Sequence, residues 1–318
     1  MGETTLAVEF SDIEAAAERI AGLVHRTPVL TSSRLNEHCG SDLYFKCENL
    51  QKAGAFKARG ASNAVYSLAE ADLAAGVATH SSGNHGAALA MAAASRGIGA
   101  HIVMPENAVG AKQEAVAAYG GSIIKCESNL PAREAMLEQV VAKTGAGVVH
   151  PYNDARVIAG QGTVMLELLE QIAELDVVVA PVGGGGLLSG LALAAKSLRP
   201  SIEVVGAEPA GADDAFRSFG LGRLIPQDNP QTIADGLRAG LGVLNFPIIQ
   251  RHVDTILTVT EQSIVEAMQL QWSRLKTVTE PSGAVSFAAV LEHPERFRGR
   301  RVGVLVSGGN VDFDNLPW

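Results

Sequence analysis

The sequence predicts an α/β fold with two open, mostly parallel sheets flanked by helices. Three observations predict it. Short apolar runs alternate with segments of helical periodicity, which is the pattern of βαβ units. Glycine-rich turns directly follow several of these runs. The 318 residues are 47% apolar and 19% charged, as expected of a chain that buries a sizeable core. This composition excludes disordered and collagen-like chains.

The first elements are a helix and a strand. Residues 11–14 (Ser-Asp-Ile-Glu) have the pattern of a capping box and predict a helix start. Apolar residues then recur at helical spacing at Ile13, Ala17, Ile20 and Leu23. Alternation over residues 42–48 predicts a strand with one buried face.

The later strands form two series. The first series comprises residues 77–79, 101–104 and 123–126, each followed by a helical segment. The second comprises residues 177–182, 204–207 and 302–306. We therefore predict a small domain, residues 76–145, inserted in a large domain formed by residues 1–75 and 146–318.

Charge and cysteine content exclude several classes of protein. The net charge is −9, and no run of Lys and Arg forms a basic stripe, so we expect no nucleic-acid partner. The three cysteines, Cys39, Cys47 and Cys126, favour a reducing compartment, and we expect a cytoplasmic protein. We expect neither a signal peptide within residues 1–14 nor a membrane span, because Pro181 and four glycines interrupt the apolar stretch after residue 177.

Four consecutive glycines follow the predicted strand 177–182 and precede a helix: Gly183, Gly184, Gly185 and Gly186. Backbone without side chains lets several N–H groups approach one anion, and a helix N-terminus adds partial positive charge. The segment predicts a phosphate-binding loop, with a flexible turn as the alternative. It is neither a nicotinamide fingerprint, since Leu188 and Ser189 replace the required small residue, nor a nucleotide P-loop.

Further segments carry polar groups near strand ends or helix starts. Residues 81–86 (Ser-Ser-Gly-Asn-His-Gly) offer donors for a carboxylate, or merely cap a helix. Lys57 is a candidate Schiff-base nucleophile, or a solvated helix lysine. Residues 307–310 (Ser-Gly-Gly-Asn) follow the last strand as a turn. Glu208, Asp213 and Asp214 are oxygen ligands suited to Mg²⁺ or Ca²⁺, or helix caps.

The order of these motifs resembles the serine/threonine dehydratase and serine racemase family of pyridoxal-phosphate (PLP) enzymes, which have fold type II, like the tryptophan synthase β chain. The matching segments are residues 55–60, 81–86, 183–187 and 307–310. Residues 158–163, 207–209, 232–236 and 280–282 also fit the family. The similarity covers nearly the whole chain, so the resemblance implies a PLP enzyme that acts on a small amino acid.

The resemblance implies a role for each matching residue. Lys57 would bind PLP covalently and act as the base. The other cofactor-binding residues would be Phe56 beside the ring, Asn84 at its hydroxyl oxygen, Ser307 at its nitrogen, and the glycine loop with Leu187 at the phosphate. Ser81, Asn84 and His85 would bind the substrate carboxylate. Ser82 would exchange a proton on the face opposite Lys57, as in racemases.

The resemblance also implies a metal site and an assembly. Glu208, the carbonyl of Ala212, and Asp214 would hold Mg²⁺, Ca²⁺ or Mn²⁺. The chain would form a homodimer. It ends soon after Asn310, so we expect no regulatory domain of the kind found in biosynthetic threonine dehydratases.

The implied reaction is removal of the β-hydroxyl of a 3-hydroxy amino acid such as L-serine or L-threonine, giving a 2-oxo acid and ammonia, with racemisation competing. Three features instead resemble the 3-hydroxyaspartate ammonia-lyases: Ala55 where many relatives have Ser, residues 150–154, and the ending 315–318. Arg133 is a candidate partner for a second carboxylate, or a surface arginine. A third alternative is a binding protein without catalysis.

Overall fold

Two β-sheets organise the part of the chain that the structure describes. The computed structural model describes residues 6–81, 83–108 and 110–318. The strands are β1 Val29–Leu30, β2 Asp42–Cys47, β3 Val77–His80, β4 Ala100–Pro105, β5 Ser122–Cys126, β6 Gly147–Val148, β7 Val177–Pro181, β8 Glu203–Pro209, β9 Thr255–Val259 and β10 Arg301–Val306.

Helices connect and cover these strands. They are α1 Phe10–Ile20, α2 Ser33–Cys39, α3 Lys57–Tyr66, α4 Asn84–Arg96, α5 Gly110–Ala118, α6 Leu130–Thr144, α7 Ala155–Gln171, α8 Gly186–Leu198, α9 Asp214–Leu221, α10 Asn245–His252, α11 Glu261–Leu270, α12 Pro281–Glu292 and α13 Pro294–Phe297. A π-helical turn, Gln271–Leu275, follows α11. Within the described ranges, no helix is long and apolar enough to span a membrane.

The larger sheet has the strand order β1-β2-β10-β7-β8-β9, and the smaller has the order β5-β4-β3-β6. Apart from the antiparallel pair β1–β2, the neighbouring strands run parallel. The predicted fold of two open, mostly parallel sheets is confirmed. The smaller sheet uses strands from residues 77–148, and the division into an inserted domain and a large domain stays a prediction.

The larger sheet is buried on both faces. Val178 and Ala180 of β7 pack into a core with helices α7 and α8, whereas Val177 and Val179 pack against α11 and α12 on the other face. Alternate residues of a strand point to opposite faces, so a strand covered on both sides must be apolar throughout. This explains why the sequence around β7 reads as one continuous apolar run.

Glycines allow α3, the helix that begins at the candidate lysine, to pack directly against α7. A Cβ added at Gly160 of α7 would lie 2.7 Å from the Cα of Gly60 in α3. A side chain at either position would therefore force the two backbones apart. The glycines thus explain part of the motif at residues 158–163 and fix α3, which begins at Lys57, against the core.

A buried ion-pair cluster lies next to this contact. Arg59 of α3 is fully buried and binds Glu48 with two N···O distances of 2.8 Å. It also binds Glu167 of α7, at 2.7 and 2.8 Å. Lys46 of β2, also fully buried, contacts Glu167 at 2.7 Å. Four charges from three segments therefore compensate one another inside the protein.

The structure corrects several sequence-based expectations. Helix α1 begins at Phe10, and the capping box joins Glu9 and Asp12 rather than Ser11 and Glu14. Strand β2 does not have a solvent-facing side throughout, because Lys46 points into the ion-pair cluster. Strands β1, β6 and β9 were not predicted. Strands β1 and β6 have only two residues each, which is too short for a periodic pattern.

The C-terminal residues fold back onto the π-helical turn. The Trp272 ring lies 5.8 Å from the Phe313 ring and 5.2 Å from the Trp318 ring, measured between centroids. Trp272 Nε1 donates a hydrogen bond to the carbonyl of Thr279 at 3.0 Å. These contacts hold the C-terminal residues beside the loop 276–280, which leads into α12.

Candidate active site

The predicted site segments converge beyond the carboxyl ends of the parallel strands, which is where open α/β sheets bind ligands. Phe56 N donates to the carbonyl of Ser307 at 3.0 Å, and Ala55 pairs with Gly308 in an isolated bridge. The turn after β10 therefore contacts the segment that carries Lys57. The glycine loop and the turn after β3 reach the same region through the contacts described below.

Lys57 is the first residue of α3, and its side chain is half-buried. Nζ donates a hydrogen bond to the carbonyl of Pro151 at 2.6 Å and lies 5.0 Å from the centroid of the Phe56 ring. Burial lowers the pKa of Lys57 to about 8. A desolvated lysine with a lowered pKa is partly neutral near neutral pH, so it can act as a nucleophile or base. The alternative of a solvated helix lysine is not what the structure shows.

The glycine loop is held through a backbone carbonyl rather than through its N–H groups. The carbonyl of Gly184 accepts hydrogen bonds from Asn245 Nδ2 at 2.7 Å and from Gly242 N at 3.1 Å. Within the described ranges, no acceptor is bound by the backbone N–H groups of residues 183–187. Gly185 has a φ of 91°, which favours glycine. A Cβ at Gly184 would overlap the ring of Tyr152. The loop is thus a set of free donors at the start of α8, as an anion-binding loop requires.

The turn after β3 places several polar groups at the start of α4. Ser81 Oγ accepts hydrogen bonds from Gly83 N at 3.3 Å and Gly86 N at 3.2 Å, so its hydroxyl proton is available to a ligand. Asn84 begins α4. Ser82, predicted to exchange a proton, lies outside the described residues, and its role stays a prediction.

His85 cannot donate from its ring to a carboxylate in this arrangement. Its Nε2 lies 3.1 Å from the carbonyl of Val149, which only accepts, so Nε2 carries the proton. Burial, with the charge of Lys57 adding to it, lowers the pKa of His85 well below its ordinary value. The ring is therefore neutral, and Nδ1 is only an acceptor. The group of His85 that can donate to a ligand is therefore its backbone N–H at the start of α4.

Two further histidines near Lys57 were not singled out as site residues from the sequence. The His150 ring lies 5.6 Å from the His80 ring and 4.6 Å from the Tyr152 ring. Burial, and then the charge of His80, lowers the pKa of His150 to about 4. Its Nδ1 accepts hydrogen bonds from Tyr152 N and Asn153 N, so the neutral ring keeps its proton on Nε2. The site is thus lined by neutral imidazoles.

Arg133 lies near this histidine group. Burial, and then the positive charge of Arg133, lowers the pKa of His80 to about 4. Arg133 is half-buried on α6, and no carboxylate of the described residues forms an ion pair with it. It is therefore a cation available to a ligand rather than one side of a surface salt bridge.

Ser307 belongs to the turn after β10, and Asn84 contacts the same turn from the start of α4. Ser307 is buried, and its Oγ donates to the carbonyl of Ser282 at 3.4 Å, a long contact that a better acceptor could replace. Asn84 Nδ2 donates to Glu280 Oε1 at 2.6 Å, and its Oδ1 accepts from Asn310 Nδ2 at 3.0 Å. Glu280 and Asn310 occur in motifs of the sequence, but no side-chain role was assigned to them.

Two of the predicted metal ligands are buried carboxyl groups: Glu208 near the end of β8 and Asp214 at the start of α9. Glu208 accepts hydrogen bonds from Ala215 N at 3.2 Å and Phe216 N at 2.9 Å, so it caps this helix. Asp214 Oδ2 accepts from Leu241 N at 2.8 Å, while Oδ1 is buried without a hydrogen-bond partner among the described residues. Burial raises the pKa of Glu208 well above its ordinary value and that of Asp214 to about 6.

The chemistry of the site fits PLP. The free N–H groups of the glycine loop suit a phosphate, and the desolvated amine of Lys57 suits a carbonyl carbon. The Pro151 carbonyl that holds this amine directly precedes Tyr152, whose ring lies against Gly184. The two parts of the site are therefore neighbours, and one molecule with both groups can reach them.

Known proteins resemble this chain over most of its length. Residues 20–308 match the family described as "Pyridoxal-phosphate dependent enzyme". The chain is 52% identical over 309 residues to a beta-hydroxyaspartate dehydratase of Paracoccus denitrificans (strain Pd 1222), covering 97% of this chain and 98% of that protein. It is 48% identical over 318 residues to a serine racemase of Dictyostelium discoideum, covering 99% and 98%.

A solved structure shows the same fold. Maize serine racemase superposes with a TM-score of 0.95 at 48% identity, covering 97% of this chain and 95% of that one. The fold inferred from the motif order is thereby confirmed. The chain therefore belongs to the family of pyridoxal-phosphate dependent enzymes.

Proposed function

We propose that the chain is a PLP-dependent ammonia-lyase that removes the β-hydroxyl of a 3-hydroxy amino acid and releases a 2-oxo acid and ammonia. The observation that carries the proposal is the desolvated amine of Lys57, held by the Pro151 carbonyl beside a loop of free N–H donors. A binding protein without catalysis would not need this amine, and the family consists of enzymes.

Each residue group has a separate task in this reaction. Bound PLP supplies a conjugated ring that withdraws electrons from the substrate Cα. The neutral amine of Lys57 takes the Cα proton, and its lowered pKa increases the neutral fraction at neutral pH. Ser81 and the backbone N–H of His85 donate to the substrate carboxylate. The neutral imidazoles of His80 and His150 line the site without adding a charge.

Within this class we propose 3-hydroxyaspartate as the preferred substrate. Arg133 is a half-buried cation near His80, and no described carboxylate pairs with it. A guanidinium binds a carboxylate through two hydrogen bonds in one plane. The second carboxylate of 3-hydroxyaspartate supplies this partner, whereas the methyl group of threonine does not. The 52% identity to a beta-hydroxyaspartate dehydratase supports the same choice.

Ammonia release from L-serine, L-threonine and the hydroxyaspartate diastereomers tests this proposal. We expect a hydroxyaspartate to give the highest kcat/KM. Arg133→Met should lower that value roughly 10- to 100-fold, because a charge-assisted hydrogen-bond pair is lost, and should change the value for serine much less. Lys143→Met, at the exposed end of α6, is the matched control. Equal losses for both substrates in Arg133→Met would contradict the assignment.

Racemisation is a second candidate activity. The 48% identity to serine racemases supports it. It requires a proton donor on the face opposite Lys57, and Ser82 is the predicted donor. Chiral analysis of the amino acid that remains in the same substrate panel detects this reaction directly.

We propose a divalent cation, Mg²⁺, Ca²⁺ or Mn²⁺, at Glu208, the Ala212 carbonyl, and Asp214. Two buried carboxylates with raised pKa values, one of them with an unpartnered oxygen, fit a site that a cation would complete. Within the described ranges no cluster of three or more His, Cys, Asp or Glu side chains could hold a metal, so a backbone carbonyl and water would provide the remaining ligands.

Chelation should lower activity and melting temperature together, and Mg²⁺, Ca²⁺ or Mn²⁺ should restore both. The reason is that removing the cation leaves two carboxylates buried without compensation. Glu208→Gln should weaken the response to the cation and leave the absorbance of bound PLP unchanged, since Lys57 is not a ligand. Glu266→Gln, on the exposed side of α11, is the control. If thorough chelation changes neither quantity, the carboxylates are only helix caps.

We also propose that the protein is a cytoplasmic homodimer. The three cysteines are free and buried, as suits a reducing compartment. The homodimer follows from the family resemblance, and sedimentation equilibrium measures it.

A further inference from the structure

Both polar atoms of the Asn84 side-chain amide form hydrogen bonds with residues from the C-terminal part of the chain. Its Nδ2 donates to Glu280 Oε1 at 2.6 Å, and its Oδ1 accepts from Asn310 Nδ2 at 3.0 Å. Asn310 Nδ2 also donates to the carbonyl of Ala53 at 2.8 Å. Because a donor occupies the oxygen side and an acceptor occupies the nitrogen side, the amide has one orientation.

Glu280 is buried for no evident structural purpose other than this contact. It precedes α12 in the N-cap position, yet its side chain accepts no hydrogen bond from that helix. Only 3% of the residue is exposed, and Oε2 has no hydrogen-bond partner among the described residues. Burying a carboxyl group with one partner costs stability. Its presence therefore points to a function at Asn84.

The turn after β10 is shaped around this carboxyl group. A Cβ at Gly308 would overlap Glu280 Oε1 and lie 3.2 Å from Asn84 Nδ2. Glu280 N donates to the carbonyl of Gly308 at 3.1 Å, so the backbone and side chain of Glu280 both contact this glycine. Ser307 and Asn310 flank the contact on either side. The glycine in this motif therefore makes room for Glu280 to reach Asn84.

We propose that Glu280 and Asn310 are positioning residues that act through Asn84, orienting its amide so that its second Nδ2 hydrogen faces the ring hydroxyl oxygen of bound PLP. The inference rests on the proposed PLP enzyme and on the contact between Asn84 and the cofactor that the family resemblance implies. Within the described ranges that second hydrogen has no acceptor. Burial, with the charge of Asp235 adding to it, raises the pKa of Glu280 to about 8, so at neutral pH the group is mostly an uncharged acid. An uncharged group accepts from Asn84 without placing a full negative charge beside the ring.

The arrangement also joins the two sheets. Asn84 begins the helix that follows β3 of the smaller sheet, whereas Glu280 precedes α12, which packs on the larger sheet, and Asn310 follows β10 of that sheet. The two hydrogen bonds thus hold the carboxylate-binding turn in register with the turn that contains Ser307. A loss of either partner would free the amide of Asn84 to rotate.

Titration of the cofactor-free protein with PLP, without substrate, tests the proposal. Glu280→Leu removes the acceptor, and we expect PLP affinity to fall about tenfold and the absorption maximum of the bound cofactor to shift, since one oriented hydrogen bond is lost. Glu280→Gln keeps an acceptor oxygen and should restore the wild-type spectrum. Asn310→Ala should change affinity and spectrum in the same direction as Glu280→Leu. Glu266→Leu, on an exposed face, is the matched control.

Wild-type affinity and spectrum in Glu280→Leu would overturn the proposal, and so would an equal loss in Glu280→Gln. Should the leucine variant fail to fold, Asn310→Ala decides: an unchanged spectrum and affinity there reject the orienting role. Because these readouts need no substrate, they separate this inference from the proposed ammonia-lyase reaction, whose failure would appear only in the ammonia assay.

Discussion

Replacing Lys57 with alanine is expected to lower turnover by at least about 10³-fold, because the covalent amine and the base for the Cα proton are lost together. The variant should bind PLP without a covalent linkage, so borohydride should no longer fix the cofactor to the protein. The fold should remain, since the substitution removes a desolvated amine whose one described hydrogen bond is to the Pro151 carbonyl. Mass spectrometry after reduction and the ammonia assay measure the two effects.

Lys125→Ala provides the control for this experiment. Lys125 is exposed on β5, so its removal should leave both the cofactor linkage and turnover unchanged. Near-normal activity in Lys57→Ala would contradict the whole assignment of the site. A loss of activity accompanied by a lost circular-dichroism signal would show that the variant had unfolded, and Lys57→Arg would then replace it.

Arg59→Leu is expected to lower the free energy of unfolding by about 3–5 kcal/mol, because it leaves a buried carboxylate without its compensating charge. Glu48 would lose its two hydrogen bonds of 2.8 Å to the guanidinium. Glu167 would keep Lys46, 2.7 Å away, and would be affected less. Urea denaturation followed by circular dichroism measures the change.

Arg26→Leu is the matched control for the ion-pair cluster. Arg26 binds Glu170, which belongs to α7 as Glu167 does, but the side chains of Arg26 and Glu170 are 54% and 63% exposed. Exposed pairs contribute less than about 1 kcal/mol, so this variant should unfold near the wild-type urea concentration. Similar losses in both variants would mean that burial does not govern the contribution of these charges.

The sequence predicted the parts of the site whose chemistry depends on backbone. Gly183 to Gly186 and the polar turn at residues 81–86 follow apolar strands, and this local pattern suffices to predict a loop at the edge of a parallel sheet. Lys57 was ambiguous by itself, because lysine at a helix start is common. The order of the motifs along the chain, rather than any one of them, indicated the role proposed for Lys57.

The missed residues are those whose role depends on distant contacts. Glu280, to which no role was assigned, lies 196 positions from its partner Asn84, and neither neighbourhood indicates that they meet. Lys46 sits in an alternating segment that predicts an exposed face, yet it is buried because Glu167, 121 positions away, compensates it. Periodicity indicates the average exposure of each face of a segment. It cannot show which distant residue contacts a single side chain.

The packing of the C-terminal residues gives the protein a local optical reporter. The chain contains two tryptophans, and their ring centroids lie 5.2 Å apart, one on the π-helical turn and one at the last residue. Tryptophan emission therefore comes from one small region. It reports whether the C-terminal tail, residues 313–318, remains packed against Trp272. An unfolding curve recorded by emission follows this attachment, whereas circular dichroism follows the helices throughout the chain. The two curves coincide only if the tail detaches when the whole protein unfolds.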